Sequence, residues 1–177
     1  MILKCSIKGI ILSTIIAFSA LQADYEPFGP VEQCIKEAIQ AGNIKDLGYY
    51  IAQRPDLDQQ ECHGKPYMGK TLLSYAINSG SVQAVAILLK AGACVEVQSD
   101  LPIEVGAQLQ TCFLPHLSYA IAVRASLKMI KLLIKYSKDL NICDLYHDRT
   151  AYEIARYYNR ADVMRELEKA GAKITKR

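Results

Sequence analysis

The sequence predicts an all-α solenoid of about four stacked helix-turn-helix units. Three observations carry that prediction. Leu73-Ser-Tyr-Ala-Ile77 recurs letter for letter as Leu117-Ser-Tyr-Ala-Ile121. A second apolar segment follows each copy, Val82–Lys90 after the first and Leu127–Lys135 after the second. Small residues Ala38, Ala76, Ala120 and Ala155 then return at the same place in successive units. Two short helices cannot bury their own apolar face, so the units have to stack into one continuous core.

Each element has a local reason. Thr71 and Thr150 can cap first helices with their hydroxyls. Gly42, Gly80 and Asn159 suit the left-handed conformation of an inter-helix turn, and Gly92 and Gly171 suit the ends of second helices. The turn Val123-Arg-Ala-Ser126 is one residue longer and lacks glycine. Val82, Val85, Leu88 and Leu89 have helical period and mark one buried face. The last second helix, Val163-Met-Arg-Glu-Leu-Glu-Lys169, carries charge where earlier units have Ile87 and Leu89, so it reads as a terminal cap. At the other end, Arg54-Pro55 replaces Gly-Ala, which also suits an atypical unit. The units span about 31–66, 69–100, 113–146 and 148–174, with an insertion at 101–112. Within it Ile103 and Val105 flank Glu104, and Leu109 and Thr111 flank Gln110, with Gly106 between. That alternation predicts an extended hairpin with one apolar side; the other reading folds Leu101, Ile103 and Leu109 back onto the stack.

The stretch Gly69–Val95 resembles the ankyrin repeat. Thr71, Leu73, Ala76, Gly80, Leu88, Leu89, Gly92 and Ala93 match the family pattern Gly-x-Thr-Pro-Leu-His-x-Ala, a turn glycine, and Leu-Leu-x-x-Gly-Ala. The last copy keeps Thr150, Ala155, Leu167, Gly171 and Ala172. No unit has proline after the threonine, and Lys36, Ser74, Ser118 and Glu153 replace the motif histidine. The resemblance implies a non-catalytic module that binds another protein through its finger loops and the exposed side of its first helices. Carried onto this chain, the binding positions are Lys70, Asn78, Ser79, Leu114, Arg124, Tyr146, His147, Arg149, Tyr157 and Tyr158, together with Ile103 of the insertion.

The first residues have a different plan. Lys4 and Lys8 precede the apolar run Gly9–Ala20, and small Ala23 stands before Asp24. This is the layout of a cleaved secretory signal over residues 1–23, leaving a repeat domain at 24–177. The apolar run is about a dozen residues, against roughly 20 for a membrane span. The expected location is periplasmic or secreted, in a Gram-negative bacterium, and the expected state is a monomer. Loss of Lys4 and Lys8 would lower the formal charge from +3 to +1, that is, 19 basic against 18 acidic residues. Such a balance offers no footprint for nucleic acid and no polybasic segment for a membrane.

No catalytic residue, cofactor or metal is expected. The chain has no phosphate loop or dinucleotide fingerprint, and Ser74 and Ser118 lack a glycine-framed nucleophile turn. His63 and His147 fall in loops and read as solvated; His116 stands at the motif proline position. Cys62 with His63 and Cys143 with His147 do not have zinc-site spacing. Five cysteines follow Ala23, and the odd count leaves Cys34 as the free one. Cys94–Cys112 could close the base of the long finger, or Cys62–Cys94 and Cys112–Cys143 could tie neighbouring fingers; the bland reading makes them small apolar residues. Three roles compete: partner or protector of an envelope enzyme, secreted effector engaging a host target, and redox-active or metal-binding envelope protein using its cysteines.

Overall fold

The computed structural model describes residues 25–26, 28–53, 55–63, 69–105, 108–145 and 148–173. Side chains of 25, 26, 62, 63 and 101–112 lie outside the description, although the strands that carry them are included. In chain order the elements are β1 (Tyr25–Glu26), α1 (Pro30–Gln40), α2 (Ile44–Ile51), β2 (Gln60–His63), β3 (Gly69–Thr71), α3 (Leu72–Asn78), α4 (Val82–Ala91), β4 (Gln98–Val105), β5 (Gln108–Pro115), α5 (His116–Ala122), α6 (Leu127–Tyr136), α7 (Ala151–Tyr157) and α8 (Ala161–Lys169).

The helices form two layers. First helices α1, α3, α5 and α7 pack each on the next, second helices α2, α4, α6 and α8 do the same, and each first helix pairs with the second helix of its own unit. The core runs unbroken through all four pairs, from Ile35 and Leu47 through Leu73, Leu88, Leu117 and Ile130 to Val163 and Leu167. Ala76, Ala120 and Ala155 are wholly buried and Ala38 nearly so. A larger side chain there would push the two layers apart.

The caps explain where the helices start. Thr71 Oγ1 accepts from the Ser74 amide at 3.1 Å, and Ser81 and Ser126 do the same for α4 and α6. Thr150 and Glu153 form a reciprocal capping box at the start of α7. Each cap satisfies amides that would otherwise lack partners and contributes about 1 kcal/mol. Gly42, Gly80 and Asn159 adopt positive φ at the inter-helix turns. Arg124 takes that role in the third unit at φ 56°, and Ala125 is the extra residue before the Ser126 cap. The longer turn thus preserves the same reversal without glycine.

The fingers contain more strand than the sequence predicted. β1, β2 and β3 form an antiparallel three-stranded sheet, with Glu26 opposite Cys62 and Glu61 opposite Lys70. The hairpin expected for the insertion forms as β4–β5 and is longer than the insertion itself, running from Val105↔Gln108 to Gln98↔Pro115. Its base feeds directly into α5, and His116 N donates to Val95 O at 3.0 Å. No helix among the described residues is long and apolar enough to cross a membrane. The signal expected at residues 1–23 lies outside the described residues.

Candidate protein-binding face

Exposed candidates gather on the first-helix side and at the fingers. Tyr157, the last residue of α7, is 68% exposed. It is not loose. The Arg149 guanidinium stands 5.8 Å from its ring centroid, and the Tyr158 ring meets it edge-on at 5.1 Å. Arg149 is itself held, donating from Nε to Asp144 Oδ2 at 3.2 Å, and Asp144 N bonds back to Arg149 O. Asp144 is buried and Arg149 half-buried, so the ion pair fixes the guanidinium more firmly than an open surface pair would. Tyr158 is half-buried against the core, so it supports the cluster more than it presents itself.

Along the same layer, Asn78 is exposed at the end of α3, and its Nδ2 donates to Tyr119 Oη at 2.6 Å in the next unit. The Tyr119 ring is buried, and that burial raises the hydroxyl's pKa. Ser79 spends its hydroxyl on Ala76 O, at 2.9 Å, so it ends its own helix before it can offer anything to a partner. Lys70 is half-buried on β3 with its ammonium 5.9 Å from the Tyr75 ring, and Arg124 is exposed at its turn. Ile103 sits opposite Gln110 in the hairpin; its side chain lies outside the description. Tyr146 and His147 lie outside the described residues.

Leu114 is a correction. It was placed beside Lys70 and Arg149 because each precedes a motif threonine position, yet it is 1% exposed and belongs to the core. In the third unit Pro115 occupies the threonine position between β5 and α5, and apolar Leu114 packs in the core where polar Lys70 of the second unit stays half-buried. His116, at the motif proline position, is fully buried, with Nε2 2.5 Å from Thr71 Oγ1 of the preceding unit and Ser99 alongside. Burial removes it from water and lowers its pKa to about 4, so the imidazole is neutral near neutral pH.

Cys94, which takes part in two of the pairings considered, is a free thiol, as is Cys34; the side chains of Cys62 and Cys112 lie outside the description. Register argues against Cys94–Cys112. Cys112 pairs with Leu101, three rungs out from the base Gln98↔Pro115, while Cys94 lies four residues before β4 begins. Three rungs are roughly 10 Å, beyond the Cα separation a disulfide spans. Cys94 Sγ instead donates to Glu96 Oε2 at 3.2 Å. Burial and that carboxylate raise its pKa, the opposite of what a reactive thiolate needs. Cys143 Sγ faces Asn141 O at 3.7 Å. Among the described residues no three His, Cys, Asp or Glu side chains group to hold a metal.

One buried polar cluster and one exposed aromatic escaped the sequence reading. Lys36, at the motif histidine position, places Nζ 2.6 and 2.7 Å from the two carboxylate oxygens of Glu61, which is 1% exposed on β2. Tyr75 Oη donates to the same carboxylate, and the Lys36 ammonium lies 4.8 Å from the Tyr75 ring. This cluster joins the first unit, its finger and the second unit. A lysine two residues before a buried alanine was the available signal, but its acid stands 25 residues away. The second missed feature is Tyr49, 67% exposed and edge-on to Tyr50 on α2 at 5.3 Å.

Residues 68–100, which hold β3, α3, α4 and the start of β4, match the family model of the ankyrin repeat. No curated protein matches the chain.

Proposed function

Residues 68–100 carry an ankyrin repeat, and from that premise we propose that the chain is a non-catalytic module that binds one partner protein on the first-helix and finger side of its stack. Ankyrin repeats generally mediate protein–protein interaction, and the finer reading rests on one observation here. Tyr157 is largely exposed yet positioned in advance by Arg149 and Tyr158. Tyrosine and arginine are the residue types that dominate binding hot spots, and a side chain already held in place loses little entropy on docking. Lys70, Asn78 and Arg124 extend the face across the second and third units.

The proposed setting is the periplasm or the exterior of a bacterial cell, after cleavage behind Ala23. Its support is the basic, apolar and small-residue order of the first 23 residues. Mass measurement of the chain from fractionated cells and medium tests this: an N-terminus at Asp24 supports it, and an intact Met1 in the cytoplasmic fraction sinks it. Recovery mainly from medium would favour the host-targeting role over the envelope one.

The binding reading is tested by affinity capture with the parent and with Tyr157→Ala. A protein bound by the parent, and bound at least tenfold more weakly by the folded variant, is the expected result for a hot-spot residue. Equal capture by both would move the interface off this face.

A further inference from the structure

The long hairpin has two unlike edges. Two bonds fix which backbone groups point outward: Leu145 N donates to Phe113 O at 3.4 Å, and Gln60 Nε2 donates to Gln98 O at 2.7 Å. Outward groups alternate along an antiparallel strand. On β4 they therefore belong to Gln98, Asp100, Pro102 and Glu104, and on β5 to Phe113, Thr111 and Leu109. The β4 edge is blunted, since Pro102 has no N–H to offer and Asp100 and Glu104 add like charge. β5 from Gln108 to Leu114 has neither a charge nor a proline. Among the described residues its sheet holds only β4 and β5.

We propose that the outer edge of β5 pairs antiparallel with β5 of a second copy, about a two-fold axis through Gln110. Leu109 of one copy then faces Thr111 of the other, and each such pair exchanges two N–H···O bonds, giving four across the axis. A second copy is the occupant because the strand is uncharged and the register is self-complementary. The same operation on β4 would centre on a missing donor and bring Asp100 against Glu104. Because β4 is blunted, the four-stranded sheet closes as a dimer and does not grow into a fibre. A contact of this length is well below about 1,200 Å², so the association is weak and reversible.

Sedimentation of the chain purified from cells, from micromolar to near-millimolar concentration in reducing buffer, tests the proposal. Reducing agent removes any cystine at Cys112. The expected result is a mass rising toward twice the monomer for the parent and for Glu104→Pro. Thr111→Pro, which removes an outward N–H and no hairpin bond, shifts the dissociation constant at least tenfold. Gln110→Lys, which places two like charges on the axis, does the same without proline. A parent that stays monomeric throughout overturns the proposal, as does a mass rise that survives both β5 variants. A monomeric parent whose Thr111→Pro variant loses a captured protein would assign the edge to a strand of that protein instead.

Discussion

The burial of His116 makes stability depend on pH. Its neutral ring sits between two units, with Nε2 against Thr71 Oγ1 and the backbone of Cys94 and Val95 beside it. The charged group that acts on it is Glu96, too weakly to offset desolvation. Its folded pKa of about 4 lies below the ordinary histidine value of 6.5. A depressed folded value means that stability is full above pH 6.5 and is lost as the pH falls from there toward 4. The full loss is about 3 kcal/mol, from 1.36 kcal/mol per pKa unit. Urea midpoints measured at pH 7, 6, 5 and 4 should fall accordingly, and the fall should be shallower in His116→Gln. Carboxylates such as Asp162, held at about pKa 2 chiefly by its bond with Arg160, contribute their loss at lower pH. A pH profile unchanged by the histidine substitution would show that the ring carries no such linkage.

At the scale of elements, the third turn is the informative one. Arg124 adopts φ 56° where the other units use Gly42, Gly80 and Asn159. An arginine in the left-handed region costs about 1 kcal/mol relative to glycine. Arg124→Gly should therefore raise the melting temperature by roughly 2–4 °C for a domain of this size. The same substitution removes an exposed cation from the proposed face, so partner binding should weaken while stability improves. A lowered melting temperature would mean that the arginine side chain supports the turn.

The helical elements were legible in the sequence because local chemistry sets them: a hydroxyl cap, a buried alanine and a left-handed turn recur within a dozen residues of one another. The strands β1, β2 and β3 were not legible, since segments of two to four residues are too short to show alternation. Leu114 was misplaced for a different reason. Its motif position matches that of Lys70, and β3 and β5 both run straight into their helices, but an apolar side chain there packs into the core where the lysine stays half-buried. The proposed binding positions on α3 and α7 needed only the repeat register, and Asn78 and Tyr157 are exposed. The ion pair under Arg149 follows from a finger loop closing on itself, and periodicity does not record that.

For the whole molecule, the junctions between units differ in strength, and the difference predicts the order in which the stack opens. Units contact only their neighbours, so opening begins wherever an end unit is held least. The first junction has the buried Glu61 carboxylate shared by Lys36 and Tyr75. The second has Thr71 with His116 and Asn78 with Tyr119. At the third, Arg160 Nη1 donates to Ala125 O at 3.2 Å, and the ion pair Lys131–Glu166 is half in solvent. An exposed pair of that kind adds under about 1 kcal/mol. The apolar contacts of Val163 and Leu167 therefore do most of the holding there. Native-state hydrogen exchange should find α7 and α8 opening at the lowest free energy, α1 and α2 next, and α3 and α5 only with global unfolding. Arg160→Ala should lower the opening energy of α7 and α8 by about 1 kcal/mol and leave α3 unchanged, since the bond it removes touches no other junction. Equal protection in α5 and α8 would mean that the four units unfold as one, and the junction argument would be wrong. If the order holds, the least stable unit is the one that presents Tyr157, and a bound partner would raise the protection of α7 and α8 before that of any other helix.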